Sequence, residues 1–302
     1  MSKTLLLIVN PKAGKRRSRE FFFDVFSLFS EAGYLISLRQ TQGPGDAVRI
    51  AAEEAAGFDL VVCCGGDGTL NQVVNGLLTL SDPPPLGYIA GGSTNDFAAT
   101  LQLPADPVET ARVILDSGVG ALDVGQFNQR MFMYVASFGA FTKASYSAPQ
   151  NVKNDLGHFA YIIEGMKDLS SLRFYPARIE ADGEVFEGRF LFGAIANATS
   201  IGGLMKLKQE DVVLDDGKFE MLLFPEPKNA NDLNDMVRAL LLQDYSGNGL
   251  ILRHVSRITV ESPEELSWSL DGEFEGGGTR AEIVNLPRRL AVRMGRPPLE
   301  RV

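Results

Sequence analysis

Asp67 is a carboxylate set among glycines, in Gly65-Gly66-Asp67-Gly68-Thr69-Leu70-Asn71. The run Leu60 to Cys64 before it is short, apolar and bounded by glycine, which reads as a buried strand. Leu70, Val73, Val74, Leu77 and Leu78 after it recur at helical spacing. The order is strand, glycine turn, helix. Glycines let a backbone approach a ligand closely, and the helix aims its N–H groups and positive dipole end into the turn. That makes an anion site, with phosphate the expected anion. A bare carboxylate would repel phosphate, and a bridging divalent cation resolves the conflict. Mg²⁺ favours one or two carboxylates together with phosphate oxygens. The alternative for the same residues is a tight turn with Asp67 as helix N-cap.

Two further loops carry comparable chemistry. Gly91-Gly92-Ser93-Thr94-Asn95-Asp96 is a second glycine turn, and Thr94, Asn95 and Asp96 bring a hydroxyl, an amide and a carboxylate suited to phosphate, ribose or water around a metal. Asn10-Pro11-Lys12-Ala13-Gly14-Lys15 follows the first apolar run; it lacks Walker A spacing, but Lys12 and Lys15 can meet phosphate as point charges. Ligands of open α/β sheets bind beyond the carboxyl ends of the strands, where all three loops converge. In the second half, Leu270-Asp271-Gly272-Glu273 and Val213-Leu214-Asp215-Asp216-Gly217-Lys218 place acids in turns. Taken alone, each also reads as a hairpin. On an extended strand Asp271 and Glu273 face the same way; Gly272 equally permits a turn.

The elements that must position these residues follow from periodicity. Strands are expected at 4–9, 34–41, 60–64 and 86–90, with helices at 21–29, 46–56 and after the first glycine turn; the stripe of Phe21, Phe22, Val25, Phe26, Leu28 and Phe29 reads as core. Asp106-Pro107-Val108-Glu109 combines an N-cap, proline at the first helical position and an acid three residues on, a helix start. Strands alternating with helices imply a doubly wound parallel sheet. The texture changes near Leu122. Strand-like runs then lie at 122–127, 132–138, 177–181, 186–196, 219–224, 250–260, 266–270, 281–284 and 290–294. Asp182-Gly183 reads as a hairpin turn and Gly276-Gly277-Gly278 as another strand connection. Helical insertions are expected at about 157–172 and 232–242. The expectation is an N-terminal doubly wound parallel α/β domain (1–122), a C-terminal antiparallel β-sandwich domain with helical insertions (123–287) and a final segment (288–302).

The 302 residues carry a net charge of −9, which disfavours nucleic acid as a partner. Basic residues cluster at Lys12 to Arg19 and at Arg288 to Arg301, candidates for contact with an anionic surface. Cys63 and Cys64 read as inert reduced thiols, consistent with a cytoplasmic protein, and His158 and His254 as packing or surface groups. No apolar run approaches the length of a membrane span.

Together, Gly65 to Asn71, Gly92 to Ala98, the Asn10 to Gly14 loop, Asp215-Asp216-Gly217 and Leu270 to Glu273 resemble, in order and spacing, the diacylglycerol kinase catalytic-domain family, the bacterial soluble lipid kinases above all. The resemblance covers essentially the whole chain. It implies ATP- and Mg²⁺-dependent phosphorylation of a lipid hydroxyl at the membrane surface, with diacylglycerol the first candidate. It implies that Asn10, Pro11, Lys12, Ala13, Gly14, Thr41, Gly65 to Asn71 and Thr94 contact ATP. It implies Glu273 as the base with Asp271 beside it, read here as its orienting partner with Asp271 as the alternative base, and a structural Mg²⁺ held by Asp216 and the carbonyls of Val213 and Lys218. It also implies a homodimer, peripheral membrane contact and a final segment that returns to the first domain. Two positions depart from the family pattern: Ser93 stands for Thr, keeping the hydroxyl, and Ala99 stands for Arg, leaving incomplete the network around Lys15 and Asp123 typical of close relatives. NAD kinases share the Gly-Gly-Asp-Gly-Thr turn, but Asn95 to Ala98 and the Asp271/Glu273 pair argue against that reading. Ala99 is the one hint of a nucleotide-binding regulator without catalysis.

Overall fold

The structure, a computed structural model, describes residues 3–13, 22–92, 95–140, 172–201, 205–245, 247 and 249–294. Two compact units divide it: residues 1–124 with 287–302, and 125–286.

In the first unit, β1 (Lys3–Val9), β2 (Tyr34–Gln40), β3 (Leu60–Gly65) and β4 (Leu86–Ala90) form a parallel sheet in the order β4-β3-β1-β2. Leu5, Leu6, Leu7 and Ile8 are all fully buried, so both faces of β1 are covered, as a parallel sheet requires. On one face α1 (Phe22–Glu31) and a later helix, α5 (Pro107–Asp116), supply Val25, Phe29, Ala111 and Ile114 to a core with Leu5, Leu7, Leu60, Val62 and Ile89. Each of the Val, Leu, Ile and Phe side chains contributes about 1.5–3 kcal/mol by leaving water. Between α1 and α5 the chain forms α2 (Asp46–Glu54), α3 (Asp67–Leu77) and the short α4 (Asp96–Thr100). The Phe stripe on α1 is only partly core. Val25 and Phe29 are buried, Phe22 and Leu28 pack at the margin, and Phe26 is exposed, because a ten-residue surface helix buries a face narrower than six residues. At the start of α5 the Asp106 carboxylate accepts from the N–H groups of Val108 (2.9 Å) and Glu109 (3.0 Å), with Pro107 at the first helical position.

The second unit is antiparallel. β5 (Val119–Phe127) leads into it, followed by β6 (Arg130–Phe132), β7 (Val135–Gly139), β8 (Tyr175–Ala181), β9 (Glu184–Ala196), the short pair β10 (Ser200–Ile201) and β11 (Met205–Lys206), and β12 (Phe219–Pro225). After α6 (Ala230–Leu242) come β13 (Ile251–Val255), β14 (Arg257–Glu261), β15 (Ser267–Leu270), β16 (Glu273–Gly276) and β17 (Arg280–Arg293). Apart from the separate pair β10–β11, the strands are linked in one ladder. β9 pairs along one edge with β8 and then β7, and along the other with β12. Phe132, Phe138, Ile179, Ile195, Met221, Ile258, Trp268 and Ile283, from eight of these strands, meet in a single core.

Three sequence expectations change. The run 250–260 is two strands, broken at Ser256, whose N–H and hydroxyl both bind the Asp182 carboxylate (2.8 and 3.0 Å). The runs 281–284 and 290–294 are one strand, which continues past Pro287 into the first unit and there pairs in parallel with β4, Val292 opposite Leu86. Gly276 to Gly278 leads from β16 to β17, which are not sheet neighbours. The helix expected near 157–172 lies outside the described residues, apart from its last position. Among the described residues no helix is long and apolar enough to cross a membrane.

Candidate active site

In the parallel sheet β1 continues to β2 on one side and β3 continues to β4 on the other, so the strand order reverses between β1 and β3. That is the position where open α/β sheets bind ligands. The registers set the loops level: Val9 lies opposite Cys64, and Gly65 opposite Ala90.

The three loops are tied together there. The Asn10 N–H donates to the Cys64 carbonyl (2.9 Å), and its side-chain amide donates to the Thr69 hydroxyl (2.9 Å). The Asn10 side-chain oxygen accepts from the Lys12 N–H (3.0 Å), curling the first loop toward α3. The Gly91 N–H donates to the Gly65 carbonyl (2.8 Å). A Cβ on Gly66 would lie 3.2 Å from the Gly92 Cα, and one on Gly92 would lie 2.8 Å from the Gly66 Cα. The two glycine turns therefore touch backbone to backbone. Gly65 is fixed in the same way by Thr69, 2.7 Å from where its Cβ would sit.

Gly66, and not Asp67, is the N-cap of α3, and it brings no side chain to the first N–H groups of the helix. Asp67 occupies the first helical position. Its carboxylate accepts from the Tyr88 hydroxyl (3.4 Å) and the Asp96 N–H (3.2 Å). Burial, then the Asp67 carboxylate, pushes the Tyr88 phenol well up, so it stays protonated and a donor. Tyr88 went unnoticed in the sequence. The available signal was a tyrosine in a fully buried strand, whose hydroxyl needs a partner. Burial also pushes Cys64 up to about 12, and Cys63 upward as well, which keeps both thiols unreactive.

The remaining expected contacts sort by what they touch. Asn95 is left-handed (φ 54°), and its side chain accepts from the Gly92 N–H (2.8 Å) and donates to the Gly92 carbonyl (3.0 Å), so it pins the second turn. Leu70 is fully buried and Asn71 nearly so, the latter accepting from the Asn75 amide (3.1 Å). Thr41 is buried at the end of β2, its N–H on the Val9 carbonyl (2.9 Å). Pro11 and Lys12 are exposed and Ala13 partly so. Gly14, Lys15 and Thr94 lie outside the described residues. Asp123 is fully buried, and its carboxylate accepts from the N–H of Arg288 (2.8 Å), a residue with φ 51°. Around α3 the donors Asp67, Asp96 and Thr69 offer only oxygen, a set that fits a hard cation such as Mg²⁺.

The second unit holds the other acids. Asp271 and Gly272 form a two-residue turn, both with positive φ (50° and 84°), between the paired Leu270 and Glu273. Asp-Gly is the sequence such a turn favours. Glu273 is exposed, whereas Asp271 is buried and its carboxylate accepts from the N–H groups of Met133, Tyr134 and Val135. The structure thus decides for a turn, and the two acids do not share one face. In the other acidic turn Asp216 is exposed and accepts from the Lys218 N–H (3.0 Å), while Val213 is buried. Among the described residues no three His, Cys, Asp or Glu side chains gather as a metal cluster.

Residues 4–127 match the family described as the diacylglycerol kinase catalytic domain. A diacylglycerol kinase of Bacillus subtilis (strain 168) is 35% identical over 302 residues, covering 99% of both chains. One from Staphylococcus haemolyticus is 34% identical, covering 97% of this chain and 88% of that one. The crystal structure of a diacylglycerol kinase from Bacillus anthracis str. Sterne superposes with a TM-score of 0.79 at 26% identity, over 97% of each chain. With the parallel sheet and its glycine turns already in place, this full-length similarity shows that the chain belongs to the diacylglycerol kinase catalytic-domain family and is an enzyme of the lipid-kinase type.

Proposed function

We propose that this enzyme transfers the γ-phosphoryl group of ATP, with Mg²⁺, to the hydroxyl of a membrane lipid, converting diacylglycerol to phosphatidic acid. The observation that carries the reading is the contact between Gly66 and Gly92 at the N-terminus of α3, beside Asp67. Two touching glycine backbones leave N–H groups and a helix dipole as the chemistry on offer, which suits polyphosphate. Mg²⁺ held by Asp67 with Asp96 supplies neutralisation of the phosphate charge. Lys12 adds a point charge on the first loop. Tyr88 and the Asp96 N–H hold the Asp67 carboxylate in one orientation. Glu273 takes the proton of the lipid hydroxyl as its oxygen bonds to the γ-phosphorus, and the β–γ bridging bond breaks to release ADP. A structural Mg²⁺ at the turn of Val213, Asp216 and Lys218, cytoplasmic placement with peripheral membrane contact, and a homodimer belong to the same proposal.

The test is transfer of label from γ-labelled ATP by the purified protein to diacylglycerol, monoacylglycerol, phosphatidylglycerol, sphingoid bases and NAD, with and without Mg²⁺. Label in diacylglycerol that requires Mg²⁺ is expected. Label in NAD, or ATP binding with no transfer to anything, overturns the reading.

A further inference from the structure

The structure assigns Asp271 the part of a positioning residue: its carboxylate clamps the bend at Met133–Val135 and so fixes the direction of Glu273. The side chain turns inward. Oδ2 lies 2.7 Å from the Met133 nitrogen, and Oδ1 lies 3.0 and 3.1 Å from those of Tyr134 and Val135. The Asp271 N–H returns the bond to the Val135 carbonyl at 2.9 Å. The bend joins β6 to β7, and β7 is the sheet neighbour of β15, with Leu270 opposite Ala136. The far side of the bend is closed by the Asn197 N–H, which donates to the Tyr134 carbonyl (2.9 Å). The Tyr134 hydroxyl lies under the turn, 3.8 Å from where a Cβ on Gly272 would sit.

Three N–H groups on one carboxylate stabilise its charge, two on Oδ1 and one on Oδ2. A proton accepted by Asp271 would remove the charge that these bonds stabilise. As a brace it gives up nothing. Glu273, two residues on, is exposed, and the backbone carries it out of the turn. Its aim therefore depends on Asp271 and Gly272 staying left-handed. The consequence for turnover rests on the kinase reading above, but the clamp does not.

Asp271→Asn keeps the volume and the tolerance for positive φ, but sets amide hydrogens against an N–H donor. We expect kcat to fall about 10²-fold, as for a reacting group displaced by about 1 Å, with the KM for ATP unchanged. The acid limb of the pH–rate profile should survive in Asp271→Asn and vanish in Glu273→Gln. Gly272→Val, which cannot hold φ 84°, should reproduce the kcat loss, and Gly272→Asn should recover most of it. Amide hydrogen exchange should quicken at Met133, Tyr134 and Val135 in Asp271→Asn. Loss of the acid limb with those amides still protected would make Asp271 the proton acceptor and overturn the proposal. Faster exchange with unchanged kcat would reduce the clamp to stability alone and overturn it equally. A wild-type protein that phosphorylates no lipid overturns the kinase reading instead, and exchange still decides the clamp.

Discussion

Gly92→Ala is the sharpest perturbation of the phosphate turn, because the atom it meets cannot swing away. The new Cβ would lie 2.8 Å from the Gly66 Cα and 2.7 Å from the Asn95 Oδ1. Ordinary carbon contacts begin at about 3.5 Å, so the turns must part by about 0.7 Å, the difference between 3.5 and 2.8. Asn95 must also release one or both of its bonds to Gly92, at about 0.5–1.5 kcal/mol each. Overpacking of this kind costs about 1–3 kcal/mol. For the first unit, residues 1–124 with 287–302, 1 kcal/mol is about 3 °C in Tm. The expected result is a Tm lower by roughly 3–9 °C and kcat/KM for ATP lower by about 10–10²-fold. Gly118→Ala is the control, since no atom lies within 4 Å of its Cβ. Both quantities are read from purified protein by thermal melting and ATP-dependent transfer. Wild-type values in Gly92→Ala would refute the close approach. Lost stability with intact kcat/KM would refute the link from that contact to nucleotide binding.

Other perturbations separate charge from packing. Asp67→Asn keeps an oxygen for the Asp96 N–H, and its amide can donate to the Tyr88 hydroxyl, which accepts as well as donates, so the fold should survive by circular dichroism while turnover is nearly lost; near wild-type activity at saturating Mg²⁺ removes Asp67 from the mechanism. Asp216→Ala should shrink the rise in Tm produced by added Mg²⁺, since a cation bound only by the folded state stabilises it; an undiminished rise rules out Asp216 as a ligand. For Asp182, burial pushes the carboxyl up, but the N–H groups of Ser256 and Arg257 and the Ser256 hydroxyl outweigh it and hold the group below its ordinary value. A lowered carboxyl stabilises the fold above the unfolded pKa, about 3.9, and that contribution is lost as pH falls through the folded value. Asp182→Asn, which tolerates φ 47°, should therefore lower Tm at pH 7 and converge on wild type in acid; a constant difference across pH would mean that shape, not charge, matters there.

The first unit was legible because its signals are local. A buried strand, a glycine turn and an apolar-periodic helix occupy 60–78 without interruption, and Asp106-Pro107 announces α5 by itself. The second unit is built from distant partners. Asn285-Leu286-Pro287 looks like a break between two short strands, yet β17 runs through it, and the left-handed Arg288 is held by Asp123, 165 residues earlier in the chain. Asp271 binds N–H groups 136 to 138 residues away. No pattern within 270–273 could show that its carboxylate turns inward, so strand and turn both stayed open. Phe26 failed for a different reason: periodicity marks the apolar side of α1 but not how wide a strip its neighbours cover.

Glycine is where sequence and structure differ most in meaning. Gly66, Gly92 and Gly272 all lie in glycine turns that carry an acid, and in the sequence they look alike. In the structure they answer two separate demands. Gly272 is needed for its positive φ, and a Cβ there would meet only the Tyr134 hydroxyl, at an ordinary 3.8 Å, so Asn is a fair substitute. Gly66 and Gly92 do not have left-handed backbones; they are glycine because each leaves no room for the other's Cβ. A turn that is glycine for lack of space is packed, whereas glycine for its own sake would loosen it. The cradle at α3 is therefore held in shape before any anion arrives, its two turns braced by Asn95 and by the Gly91–Gly65 bond. Donors fixed in advance are what stabilising the charge of a transferring phosphoryl group requires.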